Sequence, residues 1–315
     1  MSRYLVTGAA GFAGRHLARQ LLADKHEVIG LVRRPGSLGA EGAEEVVCDL
    51  TDEAATEAVV TAARPDGIFH LAAPEISVSR SWDDPAGAVT GNFDTTRSVL
   101  EAAAGLAKPP RVLLVSSAEV YGDVPEDRQP IAETEARNPA NPYGESKARC
   151  EEFAAHLRKR RNLPVITARS FTHTGPGHGG GFALPSFARQ IAEIERRAGG
   201  ELKVGNLAAA RDYLDVRDVA AGYRTLMERG EPGETYNVAS GEAHTMQDLL
   251  EAMLEMSPAT ISVVVDQDRF RPADIPKLEG DATKLRALGW EPAIPIEQTL
   301  KDLLKGARTD HGQST

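Results

Sequence analysis

The junction between the first strand and the first helix constrains this chain more than any other stretch. The short apolar run Arg3–Thr7 passes directly into Gly8-Ala9-Ala10-Gly11-Phe12-Ala13-Gly14, and a helical pattern continues over Ala13–Ala23. Such a turn needs backbone unrestricted by Cβ, and the helix leaving it lies close to the strand only where side chains are missing. The helix N-terminus then offers unpaired N–H groups and a positive dipole, a ready site for phosphate groups. The glycines recur every third residue and so depart from G-x-G-x-x-G; the alternative reading is a tight βα turn with no ligand.

Further along, apolar runs alternate with amphipathic stretches. Strands are expected at Glu27–Val32, Glu45–Cys48, Gly67–Ala72, Arg111–Ser116 and Pro164–Ser170, and helices at Glu53–Ala63, Phe93–Ala104 and Tyr143–Arg160. Continuous apolar strands separated by helices read as buried parallel strands of βαβ units, wound into an α/β doubly wound parallel (Rossmann) sheet. After Ser170 the texture changes. A Gly/Pro-rich loop over Thr174–Gly181 precedes a helix at Ala183–Arg197, an element at Tyr213–Asp218, a helix at Val219–Glu228 and a strand at Thr235–Val238. From Thr245 onward short helices alternate with Pro-rich loops. The expected division is a dinucleotide-binding Rossmann domain over 1–170, rejoined by about 216–240, and a discontinuous, smaller C-terminal α/β substrate-binding lobe within 171–315.

Composition narrows the function classes. Across 315 residues, 36 Lys plus Arg face 46 Asp plus Glu, a net charge of −10 that repels a nucleic-acid partner. No apolar run approaches the roughly 18–20 residues of a membrane span, and no export signal opens the chain. Cys48 and Cys150 alone argue against a disulfide scaffold or thiolate zinc site and fit a reducing cytoplasm. No metal is expected at His173 and His178, which have no acidic cluster beside them.

The second strand ends in Arg33-Arg34, with no acid to hold a ribose 2′-hydroxyl. Guanidinium groups suit a 2′-phosphate, so NADP(H) is expected over NAD(H); the alternative is two solvated surface arginines. Asp49, with Leu50 after it, is expected near the adenine, or Asp49 caps the next helix. At the other end, Ser116-Ser117-Ala118-Glu119-Val120-Tyr121-Gly122 closes the fifth strand, and Pro142-Tyr143-Gly144-Glu145-Ser146-Lys147 opens a long helix. Tyr143 and Lys147 are four apart and share a helix face, where a neighbouring cation favours the phenolate. Tyr143 is then the expected acid/base for a sugar hydroxyl or ketone, with Ser117 hydrogen-bonding the same oxygen.

These pieces resemble the extended short-chain dehydrogenase/reductases, the NAD(P)-dependent sugar-nucleotide epimerase/dehydratase group. The resemblance rests on Thr7–Gly14, His70-Leu71-Ala72-Ala73, Ser116–Gly122 and Tyr143–Lys147. It implies that Gly8, Gly11, Phe12, Ala13, Gly14, Leu71, Ala72 and Ala73 line the cofactor and that Ser117, Tyr143 and Lys147 form the catalytic triad. It also implies a homodimer through a four-helix bundle of Phe93–Ala104 and Tyr143–Arg160, with His70 a packed strand-end residue.

Phe171-Thr172-His173-Thr174-Gly175-Pro176-Gly177, Val204-Gly205-Asn206-Leu207, Arg211–Asp218 and Arg271-Pro272-Ala273-Asp274 are similar to loops of the GDP-mannose-pathway members. That similarity implies a GDP-linked deoxyhexose substrate, contacted by Thr172 and His173. Arg211 and Arg271 are expected to clamp its pyrophosphate and Asp274 to accept from ribose hydroxyls; surface ion pairs or caps are the alternatives. Where the family has Pro and Phe-Asn-His, this chain reads Ser170-Phe171-Thr172-His173. The expected reaction is NADPH-dependent reduction of the 4-keto group of GDP-4-dehydro-6-deoxy-D-mannose to GDP-D-rhamnose. The alternative is a GDP-mannose 4,6-dehydratase with Glu119 as base, which needs an acid/base besides Tyr143, whereas Ala118 supplies none. A C4 epimerase would more naturally carry an acid after the second strand. A non-catalytic cofactor-sensing regulator would be expected to lose Tyr143 or Lys147.

Overall fold

The computed structural model describes residues 1–73, 78–179, 181–197, 199–270 and 275–309. Its first half runs β1 (Arg3–Thr7), α1 (Phe12–Ala23), β2 (Glu27–Val32), β3 (Glu44–Val47), α2 (Glu53–Ala63), β4 (Gly67–His70), α3 (Pro85–Gly105), β5 (Arg111–Ser117), α4 (Pro142–Arg161) and β6 (Val165–Ser170). The second half runs β7 (Thr172–Thr174), α5 (Ala183–Arg196), β8 (Gly200–Val204), β9 (Ala210–Asp215), α6 (Val216–Arg229) and β10 (Thr235–Val238). It closes with β11 (Ala243–Thr245), α7 (Met246–Glu255), β12 (Ile261–Val265), β13 (Lys277–Leu278), α8 (Thr283–Arg286) and α9 (Ile296–Thr309).

Seven parallel strands form one sheet in the order β10-β6-β5-β4-β1-β2-β3. The chain reverses its direction of travel between β1 and β4, and the crevice above that switch point is where such sheets bind ligands. Neighbouring residues of one strand serve opposite faces. Tyr4 and Val6 of β1 join Leu17, Leu21 and Tyr223 of α1 and α6, whereas Leu5 joins Val60, Val99 and Leu157 of α2, α3 and α4. Each fully buried Leu or Val of these layers contributes about 2 kcal/mol. Cys48 and Cys150 are buried and unpaired in the second layer.

A smaller core gathers α5, α7, α9 and β8 around Leu184, Ile191, Leu250 and Leu304. Beside it β11-β9-β13 form a sheet with β7 on β9, and β12 pairs in parallel with β8. The Asp212 carboxylate ties this region together, accepting from Ser240 N at 2.8 Å, Ser240 Oγ at 2.7 Å, Gly241 N at 2.9 Å and Gly280 N at 3.2 Å.

Several elements differ from the sequence expectation. Helix α3 begins at Pro85, before Phe93, because the Asp84 side chain caps it by accepting from Gly87 N at 2.9 Å. The element expected at Tyr213–Asp218 is split: β9 ends at Asp215, whose carboxylate accepts from Arg217 N at 2.8 Å and starts α6 at Val216. Strands β12 and β13 stand in the stretch where only short helices and loops were expected, and β7, β8 and β11 fall where the sequence marks no strand. Among the described residues no helix is long and apolar enough to cross a membrane.

Candidate active site

At the switch point, β1 and β4 end so close together that a Cβ on Gly8 would lie 2.9 Å from Ala72 N, and Gly8 itself has φ +68°. A Cβ on Gly14 would run into the Gly8 carbonyl and lie 2.9 Å from Ala9 Cα, so the first turn of α1 rests directly on the turn that precedes it. Gly11 caps α1 without any side-chain hydrogen bond, which leaves the N–H groups of the first turn open to an anion. The cradle fits a dinucleotide pyrophosphate. Ala72 N donates to Thr7 Oγ1 at 3.0 Å, fixing the β4 end, and Leu71 and Ala73 line the adjoining cavity. His70 is buried between Thr7 Oγ1 at 2.8 Å and Thr96 Oγ1 at 3.1 Å. Burial, reinforced by the Lys147 charge, pushes its pKa down to about 3, so the ring is neutral.

Arg33 and Arg34 are exposed at the end of β2, and Leu50 is buried after β3. Asp49 is exposed and accepts from Thr51 N and Oγ1 at 3.0 and 2.8 Å; the cap of α2 is Asp52 instead, which accepts from Ala55 N at 3.0 Å. Those backbone and hydroxyl donors hold the Asp49 carboxyl below the usual range.

The chemistry-bearing residues come from β5 and α4. Asn141 caps α4, accepting from Gly144 N at 2.8 Å and donating from Nδ2 to Glu119 Oε2 at 2.6 Å. Lys147 is only 6% exposed; its Nζ donates to Val115 O at 3.0 Å and stands 5.8 Å from the Tyr143 ring centroid. Ser117 Oγ accepts from Glu119 N at 3.2 Å, leaving its own proton to donate. One residue earlier, Ser116 Oγ donates to Glu151 Oε1 at 2.6 Å, and Glu151 pairs with Arg169 at 2.8 Å, which clamps α4 to β5 and β6.

Ser117, Tyr143, Lys147, Thr172 and His173 meet around a cavity of about 320 Å³. A second cavity of about 390 Å³ adjoins it and carries Arg189, Asn206, Arg211 and Arg269. The two share Val78, Glu119, Thr172, Phe182, Ala183 and Tyr213. Arg211 is buried and donates to Ala210 O at 2.8 Å. The loop from Phe171 crosses over α1: His178 stacks on Phe12 at 4.1 Å, and His173 bonds Phe171 O through Nδ1 at 3.1 Å. Burial lowers the pKa of both rings, that of His178 to about 3. Arg271 and Asp274 lie outside the described residues. Sequence reasoning missed Arg189 and Arg269, lone cations with no spacing signature that line the second cavity. Among the described residues no group of three His, Cys, Asp or Glu side chains is arranged to hold a metal.

Comparison with known proteins identifies the relatives of this arrangement. The family model described as GDP-mannose 4,6 dehydratase matches residues 5–303. The chain belongs to the GDP-mannose 4,6 dehydratase family. It is therefore an enzyme, a sugar-nucleotide oxidoreductase of the extended short-chain dehydrogenase/reductase type. This family member is 33% identical to GDP-6-deoxy-D-mannose reductase of Pseudomonas aeruginosa over 96% of each chain. It is 26% identical to human GDP-mannose 4,6 dehydratase, covering 95% of this chain and 90% of that one. Its fold matches RMD from Pseudomonas aeruginosa complexed with NADPH at a TM-score of 0.84 and 30% identity, covering 98% of this chain and 100% of that one. It matches UDP-glucose 4-epimerase from Thermotoga maritima at 0.88 and 26% identity, covering 98% and 99%.

Proposed function

We propose that this family member acts on GDP-linked hexoses as a reductase, converting GDP-4-dehydro-6-deoxy-D-mannose to GDP-D-rhamnose with NADPH. The Rossmann half, 1–170 with 216–240, would hold the cofactor through Gly8, Gly11, Phe12, Ala13 and Gly14, through Leu71–Ala73, and through Arg33, Arg34, Asp49 and Leu50 at its adenosine end. NADPH, when bound, supplies hydride to C4. Tyr143 gives its phenolic proton to the oxygen developing at C4, Ser117 donates a hydrogen bond to that oxygen, and Lys147 sets a positive charge beside the phenol during the transfer. The lobe within 171–315 takes the GDP portion, with Arg211, Arg189 and Arg269 facing its diphosphate. Homodimerisation through α3 and α4, in a reducing cytoplasm, completes the proposal.

The observation that carries the reductase reading is the stretch after Ser117. A 4,6-dehydratase needs a further acid/base pair there, yet Ala118 is apolar and buried, and the Glu119 carboxylate is engaged by the Asn141 side chain that caps α4. The match to the P. aeruginosa reductase over 96% of both lengths supports it further. The dehydratase reading keeps one observation in its favour: Glu119 borders both cavities.

The test follows NADPH absorbance after addition of GDP-4-dehydro-6-deoxy-D-mannose, beside a sample of GDP-mannose with NADP⁺. NADPH consumption with the keto sugar alone is expected. Conversion of GDP-mannose to a keto sugar with no net cofactor change would replace the reductase by the dehydratase and make Glu119 the base.

A further inference from the structure

The loop between β2 and β3 has no regular structure of its own, yet it is fastened from β3 and from α1. On β3, the Glu45 carboxylate accepts from Gly36 N through Oε1 at 2.6 Å and from Leu38 N through Oε2 at 3.0 Å. From α1, Arg15 Nη2 donates to Ser37 O and Arg19 Nη2 to Gly39 O, each at 3.2 Å. Within the loop, Ser37 Oγ donates to Arg34 O at 2.6 Å. Leu38 is buried over Gly30, where a Cβ would meet it at 2.7 Å, and Gly36 turns the chain at φ +73°. Arg33 and Arg34 open this loop, and the Arg33 charge reaches Asp49 at the end of β3.

We propose that Glu45 is a positioning residue for cofactor choice: by gripping two backbone N–H groups it holds the Arg33–Arg34 loop where a ribose 2′-phosphate is recognised. This rests on the NADPH reading above. A lone carboxylate spent on backbone donors adds no contact of its own to the cofactor. A guanidinium recognises phosphate well only where its stem is held, because ordering a free loop at the moment of binding costs conformational entropy. A dinucleotide without the 2′-phosphate does not use those arginines and so does not register the loss of the grip. Glu45 therefore acts on selectivity more than on binding in general.

The test measures NADPH and NADH dissociation constants by fluorescence titration of the full-length wild type, Glu45→Ala and Glu45→Gln, with a melting temperature for each. The expected result is a wild-type preference for NADPH, reduced about tenfold in Glu45→Ala through weaker NADPH binding alone. Glu45→Gln, whose amide nitrogen faces an N–H donor, should fall between the two. Equal weakening of both cofactors, or an unchanged ratio in both variants, would overturn the positioning role while leaving the NADPH reading intact. A wild type that binds NADH as tightly as NADPH would overturn the cofactor reading itself.

Discussion

Replacing Gly14 with alanine tests whether the α1–β1 contact sets the phosphate site. The added Cβ would lie 2.9 Å from Ala9 Cα and closer still to the Gly8 carbonyl oxygen, against 3.4 Å for an ordinary contact. The shortfall is at least about half an ångström, and both obstructing groups are backbone, so no rotamer change relieves it. Helix α1 must back away from β1, at a cost near the top of the usual overpacking range, about 3 kcal/mol. At about 2 °C per kcal/mol for a domain of this size, the melting temperature should drop by about 6 °C. Withdrawal of the α1 N-terminus should also weaken NADP(H) binding by about tenfold or more. Differential scanning fluorimetry gives the first quantity and fluorescence titration the second. Gly11→Ala is the control: its Cβ meets only the Gly8 oxygen, at 3.0 Å, and should cost about 1 kcal/mol or less. A Gly14→Ala protein with wild-type melting and wild-type cofactor affinity would refute the reasoning.

Tyr143→Phe should lower kcat by about 10²- to 10⁴-fold while NADPH titration stays within twofold, as befits a lost proton donor; near-normal turnover would remove Tyr143 from that role. Asp215 is buried, which by itself raises its pKa, but bonds from the Arg217 guanidinium and backbone and from Thr299 outweigh burial and hold it below the ordinary value. A depressed folded-state pKa contributes stability that is present above the unfolded value of about 4 and is lost as pH falls below it. Melting temperatures from pH 7 to pH 3 should therefore fall more steeply for wild type than for Asp215→Asn, with parallel curves counting against the assignment. Burial lowers the pKa of His173 and brings that of His178 down to about 3, so the His178 ring does not charge between pH 5 and 8. The rate profile should show no inflection near 6.5 that His178→Asn abolishes.

The main sheet was legible because its strands are continuous apolar runs between helices. Strands β1, β2 and β10 and helix α2 have the limits that the apolar pattern marks, since burial on both faces leaves few other places for Leu5, Ile29 or Val238. The start of α3 was not legible: its first residues, Pro85 and Ala86, are exposed, and the Asp84-Pro85 cap was the signal to weigh. Strands β11, β12 and β13 are short, and their partners are far along the chain, so only tertiary structure reveals them. Ser117, Tyr143 and Lys147 stood out through spacing and strand-end position, and the fold gathers them at one cavity. Glu45, Arg189 and Arg269 had no such signature; each gains meaning only from what lies opposite. Asp212, read beside Arg211 as part of a substrate motif, instead spends its carboxylate on backbone and hydroxyl donors that join three stretches of chain.

The clamping of α4 onto β5 and β6 has a consequence for how such an enzyme diversifies. Val115, Ser116 and Ser117 are consecutive residues that respectively hold Lys147, anchor Glu151 and face the cavity. On the proposed roles, a mutation among them would disturb proton transfer and helix seating together, which leaves this stretch little freedom to drift. Arg189, Asn206 and Arg269 come from other parts of the chain and line the second cavity, which meets the first along Val78, Glu119, Thr172, Phe182, Ala183 and Tyr213. If the second cavity takes the GDP portion as proposed, new nucleotide bases or sugars would be accommodated by exchanging its lining while the first cavity stays as it is. On that proposal, the way the two cavities divide the chain would let one reaction be inherited with many substrates.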